Sequence, residues 1–152
     1  MKPGVRGQIS RLTESNLSEA GLLPVISLIA ADLEKPLLPV SIFSSGLAPA
    51  EAVVKYLRER FQLSYEQLGV LLERSLPSIS TTYHNACRKM PGRLLGQGRR
   101  IPLRMLCQRR FSMLETVVAY LKHEGLSLSE IARLLKKDSR TIWTTFRRWQ
   151  LK

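Results

Sequence analysis

The residues of this sequence best suited to chemistry are its arginines. Residues 90–110 hold six of them, Arg93, Arg99, Arg100, Arg104, Arg109 and Arg110, and no acidic side chain. A merely solvated surface mixes both signs, so a run of one sign points to a polyanionic partner. Arginine adds a planar fork that meets a phosphate or a guanine edge through two parallel hydrogen bonds. The whole chain has 152 residues, 24 basic and 12 acidic, for a net charge of +12. Of that excess, +10 falls after position 89, while residues 1–46 are neutral. An apolar content of 44% is too high for a disordered polycation and ordinary for a folded protein.

Other chemistry finds little support. His84 and Cys87 stand three apart, and Cys107 and His123 lie elsewhere, but no CxxC or HxxxH pair accompanies them. A zinc site is therefore not expected, and two cysteines make no disulfide framework. Two histidines without a surrounding motif offer no nucleophile–base arrangement. Gly96-Gln97-Gly98 lacks the lysine-serine that would follow in a P-loop, and no carboxylate cluster resembles a nuclease metal cage. Neither an enzyme nor a cofactor is expected. The longest apolar stretch, Gly21 to Leu33, falls well short of the ~20 residues of a spanning helix and has no basic segment directly before it. The expected setting is the cytoplasm, in association with the nucleoid, with no membrane partner.

What positions the basic residues is an internal repeat. Leu38-Pro39-Val40-Ser41-Ile42-Phe43 parallels Ile101-Pro102-Leu103-Arg104-Met105-Leu106. Glu51, Val53, Val54, Tyr56 and Leu57 recur 64 positions later as Glu115, Val117, Val118, Tyr120 and Leu121. After one deletion the shift becomes 63, matching Leu63-Ser64 with Leu126-Ser127, Leu71-Leu72 with Leu134-Leu135, and Ile79, Thr81, Thr82 with Ile142, Thr144, Thr145. A register kept over roughly 50 residues defines a duplicated unit. The chain divides into an N-terminal segment (1–37), a first unit (38–89), a basic linker (90–100) and a second unit (101–152).

Each unit reads as three helices, so the predicted fold is all-α. Val53, Val54 and Leu57, or Val117, Val118 and Leu121, form the i, i+1, i+4 face of a first helix. Gly125 suits a left-handed C-cap. Ser64 with Gln67, and Ser127 with Glu130, have the spacing of capping boxes that open a short second helix. A third helix follows within a few residues, with Ile79 and Tyr83, or Ile142 and Phe146, as i, i+4 buried pairs. A short helix, a tight turn and a helix with a sparse apolar stripe make a helix-turn-helix, whose second element is free to enter a major groove.

At Leu126-Ser127-Leu128-Ser129-Glu130-Ile131-Ala132-Arg133-Leu134-Leu135, then Ser139-Arg140-Thr141-Ile142-Trp143, the sequence resembles the helix-turn-helix of sigma-70 region 4 and of sigma-like regulators. The likeness covers residues 111–152 well, 47–89 loosely and 1–37 not at all. It implies promoter DNA as a partner, through the recognition helix, and contact with RNA polymerase. No counterpart of region 2 is found, so a complete promoter-melting sigma factor is not expected.

With Ile142 and Phe146 inward, Arg140, Thr141, Trp143, Thr144 and Arg147 are the candidates for base or groove contact. Arg133, Lys136, Lys137, Ser139, Arg148, Arg99, Arg100 and Arg104 are the candidates for phosphate contact. The first unit offers only the secondary set Ser78, Ser80, Thr81 and His84, and Glu66 and Glu73 add negative charge before it. The second unit should dominate affinity. Trp143 and Trp149 are expected to bury against the first unit or the N-terminal segment, with stacking in the groove as Trp143's alternative. Fully extended, the eleven-residue linker reaches roughly 35 Å, about one duplex turn. In the N-terminal segment, a helix over Leu22–Leu33 should pack on the first unit or offer a homodimer surface.

The function expected is sequence-preferring double-stranded DNA binding in transcription regulation. The alternative is a sigma-like adaptor that binds RNA polymerase or another protein, and DNA only weakly. An accessory role in transposition or recombination is not separated from the first.

Overall fold

The computed structural model describes residues 37–152. The helix expected over Leu22–Leu33, and its dimer surface, lie outside the described residues. Strand β1 (Leu37–Pro39) leads through a 3-10 turn (Val40–Ser44) into α1 (Pro49–Phe61), α2 (Tyr65–Leu71) and α3 (Leu76–Lys89). Strand β2 (Arg100–Pro102) leads through α4 (Leu103–Leu106) into α5 (Met113–His123), α6 (Leu128–Leu135) and α7 (Ser139–Gln150). The fold is all-α apart from a two-stranded ribbon, and its order of elements repeats as the sequence does.

Local chemistry sets the helix boundaries. Gln67 N–H donates to Ser64 Oγ (3.1 Å), and Ser64 N–H to the Gln67 side chain (2.8 Å). The same reciprocal pair joins Ser127 and Glu130. Ser112 and Glu115 form a further box at the start of α5, at 3.1 and 3.0 Å, which the spacing reading did not single out. Each box satisfies two backbone donors that a helix start leaves open. Gly125 (φ 95°) ends α5, with Leu126 N–H donating to Leu121 O across the turn.

The two repeats share one core. Val53, Leu57, Leu68 and Ile79 of the first, and Val117, Val118, Ile131 and Ile142 of the second, are all fully buried in the same apolar cluster. Strands β1 and β2 pair antiparallel, with Leu38 opposite Ile101, Leu37 opposite Pro102 and Pro39 opposite Arg100. Leu38 and Ile101 are repeat equivalents facing one another, and the flanking pairs are reciprocal. That is the register of a two-fold interface, here within one chain. The 3-10 turn of the first repeat packs on α6 of the second, and α1 packs against α5. In return, the segment after α4 reaches the end of α2: Cys107 Sγ donates to Leu71 O (3.5 Å), and Arg109 to Glu73 O (2.8 Å).

Residues 90–100 do not run as a free tether. Leu94 is buried and its N–H donates to Glu59 (3.0 Å), while Gln97 N–H donates to Ser41 Oγ (2.9 Å). At Gly96 an added Cβ would stand 2.5 Å from Pro39 Cγ. The segment lies against the first repeat, so the ~35 Å extended reach is not used.

An ion pair closes each repeat. Glu51 meets Lys89 at 2.9 Å, and Glu115 meets Lys152 at 2.7 Å, tying the first helix to the end of the third. Burial pushes both carboxyls upward, but the lysine contacts and the capped backbone N–H of Ala48 or Ser112 outweigh it and hold them below the ordinary value. A carboxylate depressed in the fold stabilises above its unfolded pKa, and the stabilisation is lost as pH falls through the folded one. Stability should therefore decline on acidification below about pH 5. Glu115→Gln, which keeps the cap as Gln67 does in α2, should cost about 1 kcal/mol or less at neutral pH, since Lys152 is well solvated. It should also flatten the acid limb of a urea-midpoint series, which measures both effects.

Candidate nucleic-acid interface

Helix α7 is anchored by one sector of its surface. Ile142 is fully buried, Thr145 nearly so, and Phe146 and Trp149 are half-buried. At 3.6 residues per turn, Arg140, Thr144 and Arg147 share the sector opposite Ile142, with Trp143 on one flank and Thr141 and Arg148 on the other. Arg140, Thr141, Trp143, Arg147 and Arg148 are exposed, and Thr144 is half-buried. No acidic residue occurs within α7, and Asp138 precedes it as the N-cap. Among the described residues, Arg133, Lys136, Lys137, Arg140, Arg147 and Arg148 form no ion pair, since the four pairs present involve other cations.

The turn between α6 and α7 is built by backbone geometry. Lys136 is left-handed (φ 50°), and Lys137 N–H donates to Ala132 O at 3.0 Å. The first repeat does the same with Glu73 (φ 52°) and an Arg74 N–H to Gly69 O bond of 2.8 Å. A non-glycine residue there carries strain that glycine does not. Lys136→Gly should raise stability by up to about 1 kcal/mol, read from the urea midpoint.

The turn exposes Arg133, Lys136 and Ser139 beside Arg140, with Lys137 half-buried among them. Arg99 lies near the start of α6. The carboxyl of Glu130, at the start of α6, is held below the ordinary value by the Ser127 N–H and hydroxyl, with Arg133 and Arg99 adding to the effect. Arg100 and Arg104 are exposed, and Arg100 donates to Leu37 O at 3.3 Å. Arg148 instead lies close enough to Glu115 to help lower its pKa.

The tryptophans divide. Trp149 stacks on Phe146 (5.7 Å between centroids) and approaches Phe111 (6.1 Å), all within the second repeat. The expectation that it buries against the first unit or the N-terminal segment is thus corrected for the first unit, while the segment lies outside the described residues. Trp143 is 56% exposed, with the Arg147 guanidinium 5.7 Å from its ring. Its expected burial against the first unit is corrected too, since α7 turns it away from the buried sector, and the N-terminal segment again lies outside the described residues.

In α3, Thr81 and His84 are exposed, and Ser78 and Ser80 are half-buried. His84 Nδ1 lies 2.8 Å from Ser80 O. Glu73 pairs with Arg109 at 3.4 Å, which occupies one arginine of the basic segment. Arg58, the counterpart of Lys122, serves the fold: it donates to Leu63 O (2.7 Å) and stacks on Tyr65 and Tyr83 at 4.3 and 5.0 Å. Arg74 is exposed where Lys137 stands in the other repeat, a further candidate that the repeat alignment signals beyond the four residues of α3.

Burial, then the charge of Glu73, raise the Cys107 thiol above its ordinary pKa, which keeps it protonated. Among the described residues no group of three His, Cys, Asp or Glu could hold a metal, and no helix is long and apolar enough to cross a membrane. No family model, no curated protein and no solved structure matches this chain.

Proposed function

We propose that the protein binds double-stranded DNA as a sequence-preferring transcription regulator, in a sigma-region-4-like manner, with α6, its turn and α7 as the helix-turn-helix. The observation that carries this reading is one surface: exposed Arg133, Lys136, Arg140, Thr141 and Arg147 gathered on α6, the turn and an α7 without a carboxylate. In this reading Arg140 and Arg147 contact base edges, with Thr141, Thr144 and Trp143 beside them in the groove. Arg133, Lys136, Lys137, Ser139 and Arg99 bracket the backbone, and Arg100, Arg104 and Arg148 add to the positive field.

The test is a fluorescence-anisotropy titration of selected and random duplexes across a salt series. Binding to selected DNA that survives ~150 mM salt, with random DNA at least about a thousandfold weaker, is the expected result. Equal loss on every duplex would overturn it. Arg99→Ala with Arg100→Ala should weaken all duplexes alike and reduce the salt slope by up to about 2, because phosphate contacts carry no sequence information.

A second reading, an adaptor that binds RNA polymerase or another protein, is favoured by one observation. Trp143 is half in solvent beside an arginine, the residue pair that protein interfaces use as anchors. Under that reading, Trp143→Ala abolishes binding to the protein partner and duplex affinity stays at the non-specific level throughout.

A further inference from the structure

We infer that the protein meets DNA as a single-chain equivalent of a two-fold dimer, so that its target is a pair of unequal half-sites arranged about a dyad, roughly one duplex turn apart. The inference rests on the duplex-binding reading above and names the symmetry of its substrate.

Tandem repeats related by translation would place equivalent strands parallel, and their contacts would not be reciprocated. Here β1 and β2 run antiparallel with Leu38 facing its equivalent Ile101. The 3-10 turn of the first repeat lies on α6, and the segment after α4 reaches the end of α2 in return. Equivalent helices α1 and α5 meet each other. These contacts describe a half-turn, which also relates α3 to α7.

Duplex DNA has the same symmetry, with dyads perpendicular to its axis. Two elements related by a half-turn therefore meet equivalent backbone on opposite strands. Spacing follows from packing: α3 touches α1, α1 touches α5, and α5 touches α7. Packed helix axes lie about 8–10 Å apart, so three steps span at most about 30 Å where the helices cross. That bound is far short of two turns, and one turn of ~34 Å is the shortest spacing at which two major-groove elements meet the same face of a duplex.

The half-sites are unequal because the faces are. Thr141 and Thr144 have hydroxyl equivalents in Ser78 and Thr81, whereas Arg140 and Arg147 are matched by Pro77 and His84. The first repeat keeps Arg74 opposite Lys137 as a backbone contact.

The experiment begins with hydroxyl-radical footprinting of the full-length protein on a duplex it selects from a random pool. Two protected patches, one on each strand, related by a dyad and about 10 base pairs apart, are expected. A single patch, or two repeated in the same sense on one strand, overturns the inference. The second arm is Pro77→Arg with His84→Arg, both exposed positions, which gives α3 the two arginines of α7. On duplexes carrying the selected half-site twice, this variant should prefer the inverted over the direct arrangement by roughly tenfold or more. Equal affinity, or a preference for the direct repeat, overturns the dyad and leaves single-site binding standing. If the wild-type protein binds no duplex above background, the proposed function itself has failed. Should the variant not fold, the wild-type footprint decides alone.

Discussion

Arg140→Ala combined with Arg147→Ala is expected to lower affinity for selected duplex by at least about thirtyfold, and to narrow the gap between selected and random DNA. The two side chains lie seven residues apart on α7, in the sector opposite buried Ile142, with no carboxylate paired to either among the described residues. A bidentate arginine–guanine contact discriminates by about 1–3 kcal/mol, so even one such contact plus one phosphate contact reaches that loss. Stability should hardly move, because neither side chain is buried. The control is Ser78→Ala with Ser80→Ala in α3, where the half-buried hydroxyls release few counterions; less than about threefold is expected. Similar losses from both pairs would show that the repeats share the binding equally. Lys136→Gly separates stability from binding by opposing signs: a more stable protein with weaker duplex affinity.

Ile79→Ala should destabilise the second repeat together with the first. Ile79 is fully buried in the first repeat, and truncating such a side chain costs about 2–5 kcal/mol. For a chain of this size that lowers the thermal midpoint by roughly 5–15 °C. Both tryptophans of the chain, Trp143 and Trp149, belong to the second repeat. Trp149, stacked on Phe146 and near Phe111, reports the packing there. With one cluster spanning both repeats, tryptophan emission and far-ultraviolet circular dichroism should shift together in the variant. An emission transition unchanged by Ile79→Ala would mean that the second repeat folds by itself.

The helices and their ends were legible because their causes are local. The boxes of Ser64 with Gln67 and Ser127 with Glu130 depend on residues three apart, and the structure forms both. The apolar faces of α1 and α5 depend on a period of 3.6 residues, and Val53, Leu57, Val117 and Leu121 are buried as that period requires. Charge is compositional, so the basic second half and the acid-free α7 needed no coordinates. Arg74 is legible too, through its alignment with Lys137.

Other features depend on atoms far apart in the chain. Trp143 and Trp149 are alike in type and neighbourhood, yet Phe111 and Phe146 cover only the second. Residues 90–100 looked like a tether because their glycines and arginines are those of a linker, whereas Glu59, Ser41 and Pro39 hold them in place. Composition, period and cap spacing are enough to dictate a duplicated all-α chain, where its helices begin, and which repeat carries the charge. The tertiary structure alone decided how the copies face each other. Three-residue strands paired across a separation of 63 positions leave no periodic signal, and burial of Leu38 and Ile101 together with the Val40 N–H to Arg99 O bond holds the antiparallel register.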